Sequence, residues 1–258
     1  MACRRLREKM AARQPAFGCW TSLSDPAVVE MIANAGFDYV SIDMEHSPLN
    51  LETVISHIRT AHSCGISALV RAPGSDPGLI GRVVDMGPDG IYIPHVHSAE
   101  EARRAVEITR FSPMGDRGAT LHSRAAGYGT ADPDYKRRVN EHLILWLQIE
   151  EETAVDDIEN ITATPGVDVC GIAPHDLARS LQCKADANDE RLMAAVRRVV
   201  KIVKARDSVR LAVPATVFGV DGALALGADL VNVTDATQVL AAGLRDGLRS
   251  ALTPKRLT

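Results

Sequence analysis

The sequence predicts an α/β protein, a single-domain (β/α)8 TIM barrel, and three observations carry that prediction. The first is a recurring phrase of a glycine, one further residue, an aspartate and then an apolar run. It occurs as Gly36-Phe37-Asp38, Gly87-Pro88-Asp89, Gly166-Val167-Asp168 and Gly227-Ala228-Asp229. Glycine readily takes the left-handed position that ends a helix, so each phrase reads as a helix-to-strand joint, and repeated joints imply parallel strands. The second is a count of eight strand-like runs alternating with eight helical patterns. The third is the length of 258 residues, the usual size of one such barrel. A doubly wound sheet fits the local patterns equally well, so count and length decide between the two.

Taken in order, the strands fall near 17–23, 39–44, 67–72, 90–95, 143–150, 168–173, 210–214 and 230–234. Helices fall near 25–35, 51–63, 76–86, 98–109, 153–163, 188–206, 217–226 and 236–252. Ser24 or Asp25, Asn50, Ser98 and Asn188 are the expected N-caps, because their side chains can accept from free backbone amides. Arg4 to Arg13 is a short basic cluster expected to form a solvated helical arm. Residues 110–142 exceed the usual connection length. They follow strand 4 and are expected on the face where barrel sites are built, as a lid or interface arm.

Hydrophobic residues make up 46% of the chain and aromatics only 4%, so the core is expected to be aliphatic. A net charge of −4 and a pI near 6.1 give no electrostatic reason to expect nucleic acid. No apolar run approaches the roughly 20 residues of a membrane span. The basic N-terminus has no hydrophobic stretch behind it, so a cytoplasmic protein is expected. Five cysteines, at 3, 19, 64, 170 and 183, form no C-x-x-C pair. Cys19 and Cys170 sit in apolar runs as inert core thiols, which points to a reducing compartment.

In a barrel the C-terminal ends of the strands converge on one pocket. Those ends carry Trp20; Asp43, Glu45 and His46; Arg71; Pro94 and His95; Gln148 and Glu150; and Pro174 and Asp176. Three ionisable groups within four residues after Ile42 have no use in a core, where unpaired charge is expensive. Glu150 and Asp176 could hold one hard cation through oxygen, leaving octahedral positions open for substrate and water, which suits Mg²⁺ or Mn²⁺. Arg71 offers a fixed fork for a carboxylate or enolate oxygen, and His46 carries protons near neutral pH. These are the parts needed to make and protonate the enolate of a chelated 2-oxo acid. Plainer readings stay open at each position. Glu150 and Asp176 can cap backbone, Arg71 can pair with a surface acid, and His46 can be structural. His95 and His97 resemble a metal pair at i, i+2, and Asp85 has no role from spacing alone. No lysine ends a core strand, which argues against an imine route, and no nucleotide or serine-hydrolase motif occurs.

Together these segments resemble the HpcH/HpaI family of metal-dependent pyruvate aldolases, the 4-hydroxy-2-oxoheptanedioate aldolase type. The matching pieces are A-G-F-D-Y-V-S-I-D-M-E-H-S-P (35–48), V-R-A-P (70–73), V-D-M-G-P-D-G-I-Y-I-P (84–94), P-M-G-D-R-G (113–118), L-Q-I-E (147–150) and P-H-D-L (174–177). The resemblance implies a lyase that cleaves 4-hydroxy-2-oxo acids to pyruvate and an aldehyde, with Mg²⁺, Mn²⁺ or Co²⁺ held by Glu150 and Asp176. It implies that Arg71 stabilises the enolate and that His46 is the acid/base beside a metal-held water, supported by Asp43 and Asp85. Gln148, Ala173 and Pro174 would contact substrate. It also implies a hexamer, a trimer of dimers that exchange the last helix, 236–252, placing Asp85 near a neighbour's site. The departures are Ala173 and Gln182 for Gly, Ala178 for Ser, Glu151 for Thr and Ser112 for Pro. An oxaloacetate decarboxylase, a biosynthetic relative using the same enolate, and a non-catalytic barrel that binds a 2-oxo acid are the alternatives.

Overall fold

The computed structural model describes residues 2–130 and 134–252, with side chains from residue 5 onward. Eight parallel strands close on themselves in chain order: β1 Ala16–Thr21, β2 Tyr39–Asp43, β3 Ser67–Arg71, β4 Gly90–Ile93, β5 Ile144–Ile149, β6 Val169–Ile172, β7 Arg210–Ala212 and β8 Leu230–Asp235. The helices are α1 Ala2–Ala11, α2 Ala27–Asn34, α3 Leu51–Ser63, α4 Pro77–Asp85, α5 Ala99–Thr109, α6 Tyr135–His142, α7 Glu152–Asp156, α8 Ile158–Ala163, α9 Pro174–Ser180, α10 Glu190–Lys204, α11 Ala215–Ala225 and α12 Ala236–Leu252. The (β/α)8 barrel is as the sequence predicts.

The four Gly-x-Asp phrases do more than turn the chain. Gly36, Gly87, Gly166 and Gly227 all have positive φ, between 68° and 97°, the region where glycine has no Cβ penalty. Two residues on, each aspartate carboxylate accepts a backbone amide at the start of the preceding strand. Asp38 takes Phe17 N at 2.9 Å, Asp89 takes Ala68 N at 2.7 Å, Asp168 takes Leu145 N at 2.8 Å and Asp229 takes Leu211 N at 2.9 Å. Every even strand is thereby clamped to the odd strand before it, at the N-terminal end of the barrel.

A basic side chain faces each clamp: Lys9 on Asp38, His62 on Asp89, Arg7 and Arg110 on Asp168, and Arg13 near Asp229. The basic cluster is therefore not a solvated arm. Helix α1 folds under the barrel, where Leu6 and Met10 are 1% and 5% exposed and plug its floor against Tyr39, Leu69 and Trp146.

The barrel interior also departs from the aliphatic expectation. Val, Ile, Leu and Ala fill the shell between strands and helices, while Tyr39, Tyr92 and Trp146 stack inside the barrel. Facing glycines make the room. A Cβ on Gly18 would sit 2.0 Å from the Tyr39 ring, and one on Gly171 would sit 2.0 Å from Trp146 Nε1.

Other expectations change locally. The helix expected near 153–163 breaks at Asp157, whose carboxylate turns to accept Ala99 N and Asn160 Nδ2. Asn50 and Ser98 cap as expected, Asp189 rather than Asn188 caps α10, and at α2 Pro26 holds the cap position while Asp25 Oδ1 accepts Ala27 N. The segment 110–142 leaves from the end of α5, not from a strand, and its described residues lie at the opposite end of the barrel from the strand mouths. There Arg110 bonds Leu143 O, Gly166 O and Asp168, and Arg124 bonds Met86 O and His62 Nδ1.

Candidate active site

The strand C-termini enclose a cavity of about 380 Å³ lined by residues of all eight strands or the loops that follow them, among them Trp20, Asp43, His46, Arg71, Tyr92, Gln148, Ala173, Pro174, Asp176 and Asp235. Its floor is the aromatic stack of Trp20, Tyr92 and Trp146, with ring centroids 5.1 and 4.2 Å apart. Below it the Tyr92 hydroxyl meets Ser41 Oγ at 2.6 Å, and Ser41 donates to Asn232 Oδ1.

Arg71, the last residue of β3, is fixed from three sides. Nε and Nη2 donate to the two oxygens of Asp43 at 2.9 and 2.7 Å, Nη1 lies 3.2 Å from Glu45 Oε2, and the guanidinium carbon lies 4.6 Å from the centre of the Trp20 ring. Burial pushes Arg71 toward losing its proton, but Asp43, Glu45 and Glu150 outweigh it and leave its pKa raised. Burial would raise Asp43 as well, and the hydrogen bonds and charge of Arg71 with the amides of Glu45 and His46 bring it below its ordinary 3.8.

That same Asp43 geometry corrects one expectation. Its Oδ1 accepts the backbone amides of Glu45 and His46, so it shapes the loop rather than holding the His46 ring. The imidazole is 65% exposed, and its Nε2 lies 3.7 Å from Glu45 Oε2.

Glu150, just past β5, is 2% exposed. Burial raises its pKa, His95 opposes this, and the charges of Glu45 and Asp176 raise it further. Its Oε1 accepts the His95 backbone amide at 2.6 Å. Asp176 is the third residue of α9 and is not its cap, since Ala173 holds that place without a side-chain bond. The Asp176 carboxylate lines the cavity and is reached by Arg179 Nε at 3.5 Å, while Arg179 Nη2 binds Glu151. Gln148 Oε1 is buried without a hydrogen-bond partner.

This donor set fits a hard divalent cation. It offers a desolvated carboxylate kept from full neutralisation, a second carboxylate close enough to perturb it, and an orphaned amide oxygen. Among the described residues no group of three or more His, Cys, Asp or Glu side chains is arranged as a metal cage.

Two candidates from the sequence, Asp85 and His97, lie elsewhere. Asp85 ends α4 at the far end of the barrel, paired with Arg117 at 2.6 Å, and does not reach this chain's own cavity. His97 turns toward α7, where Thr153 Oγ1 is 3.4 Å from its Nδ1 and Glu101 accepts its backbone amide. The His95–His97 metal pair therefore does not form. Instead His95 stands between Glu45 and Glu150, each 3.0 Å from a ring nitrogen, a bridge that spacing alone did not reveal. Of the departures, Gln182 adopts φ 53° where the family pattern has glycine, and the Ala173 methyl lines the cavity.

A sequence profile of the HpcH/HpaI aldolase/citrate lyase family matches residues 16–239. A 5-keto-4-deoxy-D-glucarate aldolase of Klebsiella pneumoniae subsp. pneumoniae is 34% identical over 200 residues, 78% of each chain. An HpcH/HpaI aldolase/citrate lyase family protein of Burkholderia cenocepacia J2315 superposes with a TM-score of 0.87 at 31% identity, covering 97% of this chain and 98% of its own. The citrate synthase SbnG superposes with a TM-score of 0.84 at 26% identity, covering 96% of each. With a profile match over most of its length, the chain belongs to the HpcH/HpaI aldolase/citrate lyase family.

Proposed function

We propose that the cavity at the strand mouths carries out retro-aldol cleavage of 4-hydroxy-2-oxo acids to pyruvate and an aldehyde, and the reverse addition. Family membership makes the chain a carbon–carbon lyase. The observation that carries the site assignment is the convergence of Arg71, His46, Gln148, Glu150 and Asp176 from four different strand ends.

Glu150 and Asp176 would hold Mg²⁺, Mn²⁺ or Co²⁺, which when bound polarises the 2-oxo group of the substrate. Arg71 places a permanent, pre-oriented charge where the enolate oxygen develops its own. Its two acidic partners hold the fork still, so little reorganisation accompanies the charge change. His46, at the exposed rim, moves the proton between the 4-hydroxyl side of the substrate and solvent. Gln148 offers a free acceptor to a substrate hydroxyl, and the aromatic floor excludes water beneath the reacting carbons. Ala173 and Pro174 shape the carboxylate end of the pocket.

The named relative acts on a 2-oxo acid of the sugar-acid kind, which makes such acids the first substrates to try. Pyruvate release from 4-hydroxy-2-oxo acids should appear with added divalent cation and disappear with EDTA. Full activity in stripped protein would remove the metal assignment. The likeness to a citrate synthase supports a second reading, in which the same enolate adds to another electrophile. Carbon–carbon bond formation without measurable cleavage would favour it.

The proposal extends to a hexamer, a trimer of dimers that exchange α12. No residue of this helix is buried, and Val239, Leu240, Leu244, Leu248 and Leu252 are 50–73% exposed, an apolar stripe that a second subunit would cover. Exchange would also bring Asp85 toward a neighbour's cavity. No helix among the described residues is long and apolar enough to cross a membrane. Burial pushes the Cys19 thiol up to about 11, with the Asp235 charge adding to it, and the Cys170 thiol up to about 12.

A further inference from the structure

His95 has no part in the roles above, yet both its backbone and its ring are placed against carboxylates of the site. It follows β4 with φ 55°, a conformation that non-glycine residues hold only where the surroundings fix it. That turn aims its backbone amide and its ring at one carboxylate. The amide reaches Glu150 Oε1 at 2.6 Å, and Nδ1 lies 3.0 Å from the same oxygen. Nε2 lies 3.0 Å from Glu45 Oε1, and the other oxygen of Glu45 lies 3.2 Å from Arg71 Nη1. The ring is 50% exposed, so apolar packing does not explain its placement.

We propose that His95 is a positioning residue for cation binding: it grips one oxygen of Glu150 and ties that carboxylate, through Glu45, to the Arg71 ion pair. This rests on Glu150 being a cation ligand, as read above. Both contacts fall on a single oxygen, and a carboxylate has about four acceptor sites, so the grip leaves capacity for a cation. Neighbours that orient a ligand carboxylate support the metal it holds, and loss of such a neighbour weakens metal binding. The linkage also fixes the distance between the group that takes enolate charge and the group that holds the cation.

The test is Mn²⁺ titration of the metal-free protein by calorimetry and by the EPR signal of free Mn²⁺, comparing wild type with E150A, H95N and H95G. Asn and Gly both accept the left-handed backbone, so these variants retain the amide bond to Glu150 and remove only the ring. With wild type binding Mn²⁺ and E150A losing the site, His95→Asn and His95→Gly should raise the Mn²⁺ Kd about 10–100-fold. Their metal-free circular dichroism and melting temperature should stay close to wild type. A rise below fivefold, or tighter binding, overturns the role of His95. Mn²⁺ binding kept by E150A, or absent from wild type, instead overturns the ligand assignment on which it rests.

Discussion

Arg71 and Glu150 sit in one charged network and respond to burial in opposite ways. Arg71 is compensated by a bidentate carboxylate, so it stays a fixed cation through the reaction. Arg71→Lys keeps the charge but loses the fork and should lower kcat by roughly 10²–10³, as loss of an oxyanion donor does. A change confined to KM would show that it only binds substrate. Asp43 is held below its ordinary 3.8 in the folded protein. Its contribution to stability is therefore complete above that value and is lost as pH falls through the lowered pKa. Glu150 is raised above its ordinary 4.5, so its effect has the other sign: stability is present below 4.5 and lost as pH rises through the raised pKa. In EDTA at neutral pH, Glu150→Gln should therefore melt at or above the wild-type temperature, and Asp43→Asn below it. Equal losses in the two variants would contradict this account of the network. His46 touches the network only weakly, and His46→Ala should lose the limb of the pH–rate profile that reports its ionisation while Mn²⁺ affinity stays within a few-fold. An unchanged profile would move the proton carrier to His175, the other histidine lining the cavity.

The strand ends were legible because apolar runs and Gly-x-Asp joints are local, and a barrel sends every strand end to one place. Asp43, Arg71, Gln148 and Asp176 could be placed from that rule alone. What lies between elements was not legible. Among its described side chains helix α1 buries two apolar residues, Leu6 and Met10, in a basic sequence, and nothing local says that its cations meet aspartates far along the chain. The His95 bridge needs a left-handed residue after Pro94 and partners from β2 and β5, which no short motif announces. The end of the barrel at which the segment 110–142 begins is hidden from its position after strand 4, because α5 first carries the chain back. Two variants test the elements. Gly171→Ala would drive a methyl into the Trp146 indole and should cost roughly 1–3 kcal/mol. Leu6→Ala should cost roughly 2–5 kcal/mol if α1 is a true floor of the barrel. Chemical denaturation measures both, and a loss below about 0.5 kcal/mol for Leu6→Ala would return α1 to the status of a loose arm.

At the scale of the molecule, one end of the barrel is built for stability and the other for chemistry. Four aspartate clamps and α1 tighten the N-terminal end, while the C-terminal end keeps partly uncompensated carboxylates around a cavity. The exposed apolar stripe of α12 is the face proposed to meet a second subunit. Leu244→Asp with Leu248→Asp should reduce the mass seen by light scattering, and an unchanged oligomer would place the interface elsewhere. The central claim is that Arg71 and a cation on Glu150 and Asp176 together stabilise a pyruvate enolate. Deuterium exchange into pyruvate C3, followed by NMR without any aldehyde, reads that enolate directly. Exchange is expected with Mg²⁺, Mn²⁺ or Co²⁺, and should be lost on adding EDTA and in Glu150→Gln, Asp176→Asn and Arg71→Lys. Exchange that persists in stripped protein, or that survives all three substitutions, would contradict the account.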